Sequence, residues 1–145
     1  MAWSLIDLAA GAFLRRAEAT ESVVSVGEFW TQSRFECDFM GAPYIGTGCV
    51  GYDVAKEKFV GTWIDNTTTY IAQMEGEMND EGAIVMHWSA PDPMSGETVP
   101  HHSVSLNTDD GRVSTFYMGE GEGVKVMVIE MKRSSKKPVE AGAGK

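Results

Sequence analysis

The chain has 145 residues, enough for one domain and too few for two. With 43% hydrophobic and 23% charged residues it can bury a real core, which excludes wholesale disorder. The net charge of -9 is concentrated in residues 1–131, which hold seven basic and twenty acidic side chains, so the body repels phosphate backbones and anionic lipid and is excluded as a nucleic-acid or membrane-surface binder.

The N-terminal stretch from Leu5 to Arg16 places Leu5, Leu8, Ala9, Ala12 and Phe13 at helical spacing, and Ser4 followed by Asp7 resembles a capping box. This predicts a short amphipathic helix within an N-terminal segment, residues 1–19. Arg15 and Arg16 follow the apolar run instead of preceding it, the wrong order for a secretory signal, so the segment reads as retained and the protein as cytoplasmic. No run approaches the ~18 apolar residues of a membrane-spanning helix.

From Glu21 the period becomes alternating and turn residues recur about every ten positions. Phe29 to Phe39 reads as a strand with one wet face. Further strands are predicted at Ile45 to Asp53, Phe59 to Asp65, Thr68 to Met78, Ala83 to Ser89, His101 to Leu106, Arg112 to Met118 and Val124 to Lys132. Such a meander of about eight or nine short strands is mainly β and predicts an antiparallel up-and-down barrel spanning residues 20–133. The last residues, 134–145, are rich in Lys, Ser, Pro, Gly and Ala and read as a disordered basic tail.

Turn positions predict which side chains share a face. A two-residue turn at Asn66-Thr67 sets Trp63 opposite Tyr70 and Phe59 opposite Met74; a turn centred between Asp80 and Glu81 sets Met74 opposite His87; turns at Val54 to Lys58 and at Pro43 set Cys49 opposite Trp63 and Cys37 opposite Cys49. The predicted lining therefore contains Phe35, Cys37, Phe39, Cys49, Phe59, Trp63, Tyr70, Met74, Val85 and His87. Ile84, Met86 and Trp88 fall on the predicted outer face.

The blocks SVGEFWTQSRFECDFMGAPYIGTGCVGYD (Ser25 to Asp53), KFVGTWIDN (Lys58 to Asn66) and DPMSGE (Asp92 to Glu97) resemble the bacterial domain of unknown function 1579 family over about Thr20 to Arg133. The resemblance implies a lipocalin-like barrel and supplies no activity or catalytic residue. Members begin with a short helix, a Gly-x-Trp strand start and a first strand. Here LIDLAAGAF (Leu5 to Phe13) is a degenerate echo of that opening, which predicts a first strand shortened or lost and a barrel that need not close completely.

Chemical motifs are sparse. His87 is alone on the predicted lining and His101 and His102 point to opposite faces, so no metal site is expected, nor any cofactor. Cys37 and Cys49 are expected to be free thiols able to bond across a hairpin. Asp92 and Glu97 read as solvated loop acids and Asp109-Asp110-Gly111 as a turn, while the glutamates of Gly119 to Gly123 disfavour phosphate. No nucleophile, base and orienting group can be assembled here, so an enzyme of unknown type is only the third choice. Two function classes remain: a barrel taking a small apolar or amphipathic ligand, with Phe35, Trp63, Tyr70, Met74 and His87 as wall residues, and a filled barrel that associates with itself or another protein through Ile84, Met86 and Trp88.

Overall fold

The computed structural model describes the backbone of residues 2–10, 13–39 and 41–134, and the side chains of residues 17–39 and 41–134. Among the described residues ten strands follow in chain order: β1 (Ala2–Ala10), β2 (Phe13–Val26), β3 (Trp30–Phe39), β4 (Ala42–Asp53), β5 (Lys58–Asp65), β6 (Ala72–Met78), β7 (Ile84–Pro91), β8 (Thr98–Asn107), β9 (Gly111–Met118) and β10 (Val124–Arg133). Strands β2 to β10 form a curled antiparallel meander, and β1 pairs with both β2 and β10, which closes it. The expected basic tail lies outside the described residues apart from Ser134.

Two expectations about the N-terminus are overturned. The segment predicted as a helix runs as β1 and the start of β2, and the first strand is neither lost nor too short to close the sheet. Without β1, the edges of β2 and β10 would present rows of unpaired amides and carbonyls; as a strand, β1 hydrogen-bonds to both. That tertiary demand outweighs a weak helical period.

The upper end of the barrel carries the connections after β3, β5, β7 and β9; the lower end carries those after β2, β4, β6 and β8. Local side chains shape several of these. In the β6–β7 turn the Asn79 carboxamide accepts from the amides of Glu81 and Ala83, and Gly82 takes a φ of +79° that side-chain-bearing residues avoid. In the β7–β8 turn Asp92 accepts from the Met94 amide at 3.1 Å and the Ser95 hydroxyl at 3.0 Å, and these bonds hold its carboxyl below the usual range.

Turn lengths set the faces, and here the pairing arithmetic is corrected. Residues 66–71 connect β5 to β6, so Trp63 pairs with Ala72 and Phe59 with Gly76, a two-residue slip that keeps the same face inward. Cys37 pairs with Tyr44, and Cys49 lies between Gln32 and Thr62. Two odd slips cancel, leaving Phe35 and Trp63 on the inner wall while Cys49 turns outward. The β6–β7 turn adds one more odd slip: His87 pairs with Glu75 and Met86 with Gly76. Ile84, Met86 and Trp88 therefore face inward, and Val85 and His87 face out.

The inner face carries a small packed cluster. Ala19, Phe35 and Met131 are buried, with Cys37, Tyr44, Trp63, Met127 and Ile129 packed against them. Trp63 lies flat over Gly46 and Gly48, where an added Cβ would overlap the indole. Elsewhere the wall includes Ser103 and Ser114, both buried, and Ser114 shares a 2.8 Å hydroxyl–hydroxyl hydrogen bond with Ser105.

Candidate functional site

The register and burial define one continuous inner wall, and its upper half concentrates aromatic side chains. On the β4–β5 side, Trp63 Nε1 donates to the Tyr44 hydroxyl at 3.1 Å, and that hydroxyl donates to Asp65 Oδ2 at 3.3 Å. Burial pushes the Tyr44 phenol up to about 12; the indole hydrogen bond opposes this, and the Asp65 carboxylate adds to it. On the β7–β9 side, Trp88 stacks on His101 with centroids 5.6 Å apart and meets Phe116 edge-on at 6.3 Å. His101 Nδ1 lies 2.9 Å from the Val99 carbonyl oxygen.

The lower half of the wall holds an ion pair. Arg112 Nη2 donates to Glu21 Oε2 at 2.7 Å, joining β9 to β2 across β10 and β1. The Glu21 side chain is only 10% exposed and that of Arg112 37%, and the buried Arg112 Nε has no hydrogen-bond partner among the described residues.

Several inward side chains of the described wall stay partly exposed. Among the described residues no large side chain is fully buried, and Trp63, Trp88, Met74 and Phe116 retain partial exposure although they point inward. In a filled barrel such side chains meet neighbours on every side.

Of the predicted wall residues, Phe35, Trp63 and Met74 are brought together on this surface. Tyr70 is placed in the connection between β5 and β6 at the upper end. His87 projects outward beside Glu75, on a groove of about 490 Å³ whose lining includes Lys58, Glu77, Met78 and Val85. Its ring lies 5.7 Å from that of His102, which stacks in turn on Tyr117 at 4.6 Å. Burial and the His87 charge lower the His102 pKa. Sequence reasoning missed Tyr44, Trp88, His101 and Phe116 as wall residues. The alternation in β7 and β8 was visible, but a single slip in the preceding turn inverted it.

Cys37 and Cys49 are free and face opposite ways. The Cys37 thiol is pushed up by burial and by Asp38, and Cys49 Sγ lies 3.3 Å from Thr62 Oγ1. Among the described residues no group of three or more His, Cys, Asp and Glu side chains is placed to hold a metal ion.

This strand order and this wall coincide with a family assignment. The model of the family described as Protein of unknown function (DUF1579) matches residues 6–133. The chain belongs to the DUF1579 family. The matched stretch begins within β1 and ends at the last residue of β10, so the DUF1579 unit includes the strand that closes the barrel. No curated protein matches the chain. Among the described residues of this DUF1579 member no helix is long and apolar enough to cross a membrane.

Proposed function

We propose that this DUF1579 member is a lipocalin-like binding barrel that takes a small apolar or amphipathic ligand through its upper end into the lumen. The observation that carries this reading is the partial exposure of Trp63, Met74, Trp88 and Phe116, which point inward yet are not buried. Phe35, Trp63 and Met74 remain wall residues in this proposal, joined by Trp88 and Phe116, with Tyr70 at the rim. Methionines suit such a wall because the thioether adapts to irregular guests. Two free thiols fit a reducing, cytoplasmic setting.

The test is a panel of fatty acids, aromatic acids and porphyrin-like molecules followed by tryptophan emission. At least one compound should shift the emission saturably, and Trp63→Leu or Trp88→Leu should weaken its binding in calorimetry. A panel without any saturable ligand would sink this reading.

A second reading, an interaction module, is supported by a different surface from the predicted stripe, since Ile84, Met86 and Trp88 face inward. Val24, Val26 and Trp30 lie exposed on the outer face at the lower end, beside Phe29, which is 70% exposed at the β2–β3 turn. If this surface mediates association, light scattering should show an oligomer that Phe29→Glu dissociates.

A further inference from the structure

His101 occupies a position in the upper lumen that defines the chemistry of an occupant. It pairs with Trp88 on β7 and Met118 on β9, and the buried Met86, Ala90 and Ser103 on the same face fix its inward orientation. Its Nδ1 lies 2.9 Å from the Val99 carbonyl oxygen, and a carbonyl oxygen only accepts, so Nδ1 carries the hydrogen. In the neutral ring Nε2 is then a bare acceptor. This fixed tautomer matters because the second nitrogen of a histidine takes its role from the bond that the first one makes. Among the described residues nothing hydrogen-bonds to Nε2. The nearby Asp92 carboxylate is engaged by its own loop through Met94 and Ser95.

The imidazole ring itself lies against flat and apolar groups, with the Asp92 carboxylate close enough to interact with it electrostatically. The imidazole plane lies 14° from the Trp88 indole, Phe116 meets that indole edge-on, and Met118 is the cross-strand neighbour. An aromatic guest would find ring faces and a polarisable sulfur here, with one directional polar contact.

Resting on the lumen reading, we propose that His101 Nε2 accepts a hydrogen bond from the occupant, so that the preferred ligands are aromatic molecules bearing an O–H or N–H donor. The hydrogen bond is made inside the barrel, where leaving the Nε2 acceptor without a partner is costly, so molecules of the same shape lacking the donor are disfavoured.

The experiment compares 2-naphthol with 2-methoxynaphthalene by calorimetry on the full chain. These share a ring system and differ in the donor, and the ether is the more apolar of the two. Wild-type protein should bind 2-naphthol about five- to tenfold more tightly. His101→Phe should abolish the preference, and His101→Gln, which keeps an acceptor, should retain part of it; far-ultraviolet circular dichroism checks that both variants fold. Nitrogen-15 correlation spectra should show the Nδ1–H tautomer at His101 and a shift of Nε2 when 2-naphthol is added. Equal affinity for the two compounds, a preference that survives His101→Phe, or an Nε2–H tautomer overturns the role of His101 and leaves the lumen reading standing. If neither compound binds while another panel member does, the ligand class is wrong. Failure of the whole panel removes the lumen reading as well.

Discussion

Tyr44 shows how one residue records its surroundings. Its phenol is raised to about 12 chiefly by burial, against an ordinary value of ~10, so the folded state favours the neutral form. The stabilisation is fully present below pH ~10 and is lost as the pH rises toward 12. Two pKa units correspond to ~2.7 kcal/mol, which partial exposure of the ring reduces to about 1–2 kcal/mol. Tyr44→Phe should therefore flatten the loss of stability between pH 10 and 12 in denaturant titrations. An unchanged alkaline slope would show that the phenol titrates outside its folded setting. The cysteines give a second test at this scale. Cys37 and Cys49 face opposite ways, so mild oxidation followed by peptide mass spectrometry should yield no intramolecular bond between them. Detection of that linked peptide would invert the register of β4. Both aromatic wall residues and thiols were legible in the sequence as residue types, but the face of each depended on turn lengths that composition specifies poorly.

At the scale of elements, turns decide the outcome. The two-residue slip between β5 and β6 preserved the predicted inner face, and so Phe59, Trp63 and Met74 were legible from alternation alone. The one-residue slip between β6 and β7 exchanged His87 for Met86 and Trp88. Nothing in the residues 79–83 fixes that count until Asn79 is seen capping the turn through two amides. The outward face that results carries its own prediction. His102 is held low by burial and by the like charge of His87, so its charged form is disfavoured in the fold. Stability contributed by this neutral histidine is present above the unfolded value of ~6.5 and declines as the pH falls through the lower folded value. His87→Ala should raise the His102 pKa in a proton NMR titration; a fall or no change would mean that the two rings do not interact.

The whole molecule is held together by closure. β1 satisfies the edges of β2 and β10, and the Arg112–Glu21 pair ties β9 to β2 across the same strands. An ion pair with one member 10% exposed leaves an uncompensated charge when it is broken. Arg112→Met should cost about 1–3 kcal/mol in urea unfolding, less than a fully buried pair because Arg112 is partly exposed. The double substitution with Glu21→Gln should recover part of that loss. Additive losses would show the pair to be energetically independent.

Alternation, turn residues and charge determined by themselves that this is an acidic, mainly antiparallel β chain, because a period of two and frequent turn formers are local properties. Whether residues 5–16 form helix or strand was decided only by tertiary structure, since two sheet edges demanded hydrogen bonds that no local pattern reveals. The same holds for the membership of the inner wall. Each side chain's face is the accumulated parity of every turn before it, and a single extra residue in one loop reverses all that follows.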